Sequence, residues 1–178
     1  MALDVKHIIV VGHYDCGGIR ASMSNNRLGI MDSWLQHIRD VYRTHANELD
    51  AIPDKEVRHR RFVELHAIEQ CLNLYKTGIV QSKRLETFKD PKIENTYPRV
   101  HAMVFDPADG VLHKLPVNFQ EHIRERRLHG IYDLLGDARE ELNSVQAGEI
   151  PPTLERDLEE GQDSDDKSKE KDWNRTVP

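Results

Sequence analysis

Val5-Lys6-His7-Ile8-Ile9-Val10-Val11-Gly12-His13-Tyr14-Asp15-Cys16-Gly17-Gly18 reads as a strand that stops on a histidine, a cysteine and two glycines. Ile8 to Val11 is a continuous apolar run, not an alternating one. Such a run predicts a strand covered on both faces, as in a parallel sheet. Open parallel sheets carry their ligand sites at the carboxyl ends of their strands. His13 and Cys16 fall at such an end, and imidazole and thiolate both bind zinc. The pair alone is equally well a strand-to-helix turn that carries a histidine and a small buried thiol. Gly17 and Gly18 permit a close backbone approach, and the helix that follows would offer free N–H groups to an anion.

Working outward, 178 residues suffice for one ordinary domain with a sizeable core. The net charge is −6, and the segment from Pro151 to Pro178, with nine acids and five bases, carries −4 of it. No basic stripe with interleaved aromatics is present, which argues against a nucleic-acid partner. Arg124, Arg126 and Arg127 read as a solvated helix face. No apolar run approaches about 20 residues, so no membrane span is expected. No signal peptide is read, because the N-terminus runs straight into a core strand. Two cysteines, Cys16 and Cys71, do not make a disulfide framework. A reducing compartment follows, the cytoplasm or an organelle.

Further along, Ile19 to Met23 predicts a short helix and Asn25-Asn26-Arg27 a turn. Asp32 or Ser33 would cap a helix to about Ala46, with Trp34, Leu35, Ile38, Val41 and Tyr42 on its apolar face. After Pro53 a long helix is expected from Asp54 to Tyr75, with Phe62, Leu65, Ile68, Leu72 and Tyr75 on one face and Gly78 at its end. Cys71 then lies in the core, and His66 is packed or solvated. Ile79 to Leu85 is helix or strand, and Glu86 to Asn95 a loop. Tyr97 to Leu115 predicts an antiparallel edge hairpin turning at Asp109-Gly110, with His101 and His113 facing solvent or a partner. A last helix is expected from Phe119 to Leu135. Glu159 to Asp166 is acidic and lacks apolar side chains, so residues 147–178 are expected to be a disordered tail.

These pieces resemble the β-class carbonic anhydrases. The matching residues are His7 to Gly18, then Trp34-Leu35 with His37-Ile38-Arg39-Asp40, then Glu64-Leu65 with Glu69-Gln70 and Asn73-Leu74. Ile79-Val80-Gln81-Ser82 and the hairpin residues Asp109-Gly110-Val111-Leu112 complete the series, in the family's order and spacing. The resemblance implies an α/β fold, a mainly parallel sheet flanked by helices with an antiparallel edge hairpin, over residues 1–146. It implies zinc as cofactor, His13 and Cys16 as two ligands, and Asp15, Gly17 and Gly18 lining the pocket. It implies carbon dioxide and bicarbonate as substrate and product of a hydro-lyase, in a homo-oligomer that is a dimer or a larger even assembly.

Family members draw a further cysteine ligand and an Asp–Arg pair from a Cys-x-Asp-x-Arg segment after an earlier strand. No such segment is found in this sequence, and the expectation is a domain lacking its N-terminal part. That leaves the activity of this chain alone open and gives no residue a catalytic role. The alternative is a non-catalytic truncated homologue that assembles with a full-length partner. A phosphate-bearing ligand on the glycine turn is a third reading, although neither Gly-x-Gly-x-x-Gly nor Gly-x4-Gly-Lys-Ser/Thr occurs.

Overall fold

The structure is a computed structural model, and it describes residues 4–119, 121–122 and 134–147. The elements run β1 (His7–His13), α1 (Gly17–Ser22), α2 (Met31–Thr44), α3 (Ala46–Asp50), α4 (Lys55–Tyr75), α5 (Gly78–Lys89), β2 (Arg99–Asp106), β3 (Val111–Lys114) and α6 (Leu134–Ala147). The chain divides into two compact units, residues 1–135 and 136–178, and all that is described of the second belongs to α6. Most of the helix expected from Phe119 to Leu135, and residues 148–178 of the expected tail, lie outside the described residues.

The first unit is α/β, as the sequence implies. The sheet order is β1-β2-β3. β1 pairs with β2 in parallel, Ile9 opposite His101 and Val11 opposite Met103, and β2 pairs with β3 antiparallel. Parallel neighbours need a crossover, and α1 to α5 provide it. The hairpin turns through residues 107–110, where Gly110 (φ 72°) donates its N–H to the Asp106 carbonyl at 2.8 Å.

α4 is the hub. Asp54 caps it, its Oδ1 accepting from the N–H groups of Glu56 (2.8 Å) and Val57 (2.9 Å). Phe62, Leu65, Ile68, Leu72 and Tyr75 are all buried, as the periodicity predicts, and so is Cys71. The helix packs on β1 and β2, with Val100, Ala102 and Val104 of β2 buried in the same core as Phe62 and Leu65.

One glycine sets the helix-to-sheet distance. A Cβ on Gly12 would lie 3.2 Å from Cβ of Ala67 and 3.5 Å from Cγ1 of Val63. Gly12→Val therefore drives α4 off the strand. The expected loss is about 2 kcal/mol, within the range for overpacked cores, and it is read as a lower urea midpoint at unchanged slope.

Five expectations change. Among the described residues β1 is covered on one face only: Ile8 and Val10 pack on the core, while Ile9 and Val11 are 51% and 52% exposed. The continuous apolar run records two apolar faces, and α4 covers one of them. The cap of α2 is Ile30, with no side-chain bond, and Asp32 lies in the first turn, where its Oδ2 accepts from the Leu28 N–H at 3.1 Å. Trp34 of that helix is 53% exposed, whereas Leu35, Ile38 and Val41 are buried. Gly78 opens α5 rather than closing α4, and α5 extends to Lys89, so the helical reading of Ile79 to Leu85 holds and the loop starts only at Asp90.

Candidate metal centre

β1 delivers its last residues to the lip of the sheet. Tyr14 continues the ladder by one bond, its N–H donating to the Phe105 carbonyl at 3.0 Å. The Tyr14 ring is buried, with the guanidinium of Arg60 lying 3.6 Å above it. Its hydroxyl donates to Oε1 of Glu64 at 2.6 Å. Burial first, and then that bond, push the phenol up to about 12, so Tyr14 stays a donor at any working pH. Arg61 holds the other oxygen of Glu64 at 2.8 Å and Oε1 of Glu48 at 2.6 Å. Arg60 pairs with Asp106 at 2.7 Å, which holds that carboxyl below its usual range.

Against this anchored tyrosine, His13 is exposed at the strand end, and its Nδ1 bonds the Tyr14 carbonyl at 2.9 Å. A carbonyl can only accept, so Nδ1 carries a proton, and in the neutral ring the lone pair is then on Nε2. Asp15 follows in the left-handed region (φ 57°) and is exposed, with Arg20 3.7 Å away. That kink turns the chain directly from β1 into α1. Cys16 stands at the N-cap of α1, half-buried and with a free thiol, and its side chain makes no capping bond.

The two glycines differ in their roles. A Cβ on Gly17 would touch nothing within 4 Å. A Cβ on Gly18 would lie 3.0 Å from Cη2 of Trp34 and 3.9 Å from Sγ of Cys16. Gly18 therefore lets the indole of α2 close in beside the thiol.

Sequence reasoning missed His59. It is 1% exposed on α4, its Nε2 reaches the Cys16 carbonyl at 3.3 Å, and its Nδ1 is buried with no partner. No local signal marks it, since the contact spans 43 residues. Among the described residues, one ligand atom each of Asp15, Glu56 and His59 lie within 4.8 Å of one another, and so do those of Asp106, Asp109 and His113. Neither group includes His13 or Cys16. Arg20 already holds Glu56 through two bonds, at 2.7 and 2.9 Å. His66 is half-buried, and burial pushes its pKa down. His101 faces His7 across 2.9 Å, and His113 is exposed beside Asp109.

The family model described as carbonic anhydrase matches residues 1–112. A carbonic anhydrase of Emericella nidulans is 47% identical over 117 residues, which are 66% of this chain and 48% of that protein. Among solved structures, the β-carbonic anhydrase CafA of Aspergillus fumigatus aligns with a TM-score of 0.57 at 28% identity, over 72% of this chain and 57% of that one. One of two tetrameric β-carbonic anhydrases from Sordaria macrospora aligns at 0.52 and 32% identity, over 64% of this chain and 53% of that one. The chain thus spans about half the length of the curated carbonic anhydrase from Emericella nidulans. On these matches and on the shared fold, it belongs to the β-class carbonic anhydrase family.

Proposed function

We propose that this chain supplies zinc ligands to a carbonic anhydrase centre and takes part in the reversible hydration of carbon dioxide to bicarbonate. One observation carries the reading. The His13 ring is oriented by its Nδ1 bond to the Tyr14 carbonyl, which leaves Nε2 for a metal three residues from the free thiol of Cys16. Nitrogen and sulfur donors suit zinc, and metal-binding histidines ordinarily tie their second ring nitrogen to a carbonyl or carboxylate.

Zinc, when bound, is a Lewis acid that brings the ionisation of water from about 15.7 down to about 7. The chain's own residues hold the geometry: Tyr14 and Glu64 fix the strand end, and the Asp15 kink turns the backbone toward Cys16. Catalytic zinc takes three protein ligands. Among the described residues no third donor forms a group with His13 and Cys16. The remaining ligands then come from residues outside those described or from a partner chain.

A second reading is a non-catalytic chain that assembles with a complete relative. The half-exposed Ile9 and Val11 and the outer edge of β1, at one end of the sheet, favour it. Self-association is consistent with the same surface and with the tetrameric Sordaria relatives. The test is elemental analysis and stopped-flow hydration on reduced, folded protein, alone and mixed with a complete relative. Bound zinc with hydration by the chain alone supports the enzyme. Zinc-free protein that co-purifies with the relative supports the partner role, and zinc-free protein that associates with nothing overturns both.

A further inference from the structure

Away from the strand end, a cleft of about 490 Å³ is lined by residues of α4, α5, β2 and β3. Four cationic or basic residues line it: Arg84 from α5, Arg99 and His101 from β2, and Lys114 from β3. Tyr75 and Phe119 make an aromatic wall, their rings stacked with centroids 4.4 Å apart at 28°. No Asp or Glu lines the cleft among the described residues. None of the four side chains pairs with a carboxylate within 4.0 Å there. Glu121 is engaged by the side chain of Asn118 at 2.9 Å.

The bonds that Arg84 and Arg99 make are to uncharged partners. Arg84 donates through Nη1 to the Pro98 carbonyl at 2.8 Å and lies 5.0 Å from the Tyr75 ring centroid, while its Nε is buried without a partner. Arg99 donates to the side-chain oxygen of Asn95. His101 meets His7, and its pKa is pushed down by burial first, then by His7, Lys114 and Arg99. Gathering like charges costs Coulomb energy, and an anion among them relieves it.

We infer that this cleft binds a small phosphate-bearing molecule. Arginine forks and a lysine match phosphate oxygens, several cations at one site favour a dianion, and the cleft is of the size that holds an organic ligand. Phe119, half-buried over the Tyr75 ring, gives such a ligand's organic body a surface to lie on.

The test is calorimetric titration of the full chain at 150 mM salt with a chelator present (buffer conditions on the order of physiological ionic strength). The probes are inorganic phosphate and phenyl phosphate. No metal or hydration step enters, so the outcome is independent of the zinc reading. Saturable binding of either probe is expected, weakened about tenfold by Lys114→Gln. Lys114 is exposed on β3, so this variant keeps the fold. Arg84→Gln should weaken binding likewise, and Lys92→Gln, on the exposed loop after α5, should leave it unchanged. Tighter binding of phenyl phosphate assigns an esterified phosphate, and equal binding assigns the free anion. No saturable binding, no effect of Lys114→Gln, or an equal loss with Lys92→Gln overturns the inference.

Discussion

Cys16→Ser lowers zinc affinity by about a hundredfold or more, while Cys71→Ala leaves it unchanged. Removing a group that merely orients a ligand costs 10- to 100-fold (about that range in known sites), so losing a ligand from a site with few donors costs more. The two cysteines are separated by their surroundings. Cys16 is half-buried at the lip of the sheet. Cys71 is fully buried in α4, and burial pushes its thiol up to about 11, so it stays protonated and cannot serve as a thiolate ligand. Competition with a chromophoric chelator measures the effect. Iodoacetamide gives a second readout: native metal-free protein is alkylated at Cys16, and Cys71 reacts only after denaturation. Equal zinc retention by the two variants would sink the assignment.

Phe62→Ala removes a large part of the protein's stability at room temperature. Phe62 is fully buried and meets the Tyr42 ring edge-on, with centroids 5.1 Å apart at 86°. Deleting a buried phenylalanine side chain costs about 3–5 kcal/mol, against a total of about 5–15 kcal/mol for an ordinary domain. Circular dichroism through a urea titration reads the loss. Ile79→Ala is the matched control: at 81% exposure on α5 it should move stability by less than about 0.5 kcal/mol.

The sequence made some elements legible and hid others for identifiable reasons. α4 was readable because its buried residues fall at helical spacing and Asp54 stands where a cap belongs. α5 was not, because two of its buried residues are polar. Gln81, 1% exposed, earns its place by donating to the Tyr75 carbonyl at 2.7 Å, and Thr87 by bonds to the Arg84 and Tyr97 carbonyls, so no apolar period survives. The expectation for β1 erred in its environment rather than its type, since an apolar run reports what a strand could bury and not what lies against it. At the candidate centre, the His-x-x-Cys pair could be seen because four consecutive residues hold it. His59 and Trp34 could not, because only the packing of α2 and α4 brings them to Cys16.

The bonds behind Tyr14 have a mechanical meaning. From Glu48 on the surface of α3 a continuous chain runs through Arg61, Glu64 and the Tyr14 hydroxyl to the strand end whose carbonyl aims the His13 ring. The aim of that imidazole is therefore braced from a helix outside the sheet. A slackened link at Glu48 would broaden the orientation of His13 while leaving its bonding atoms untouched.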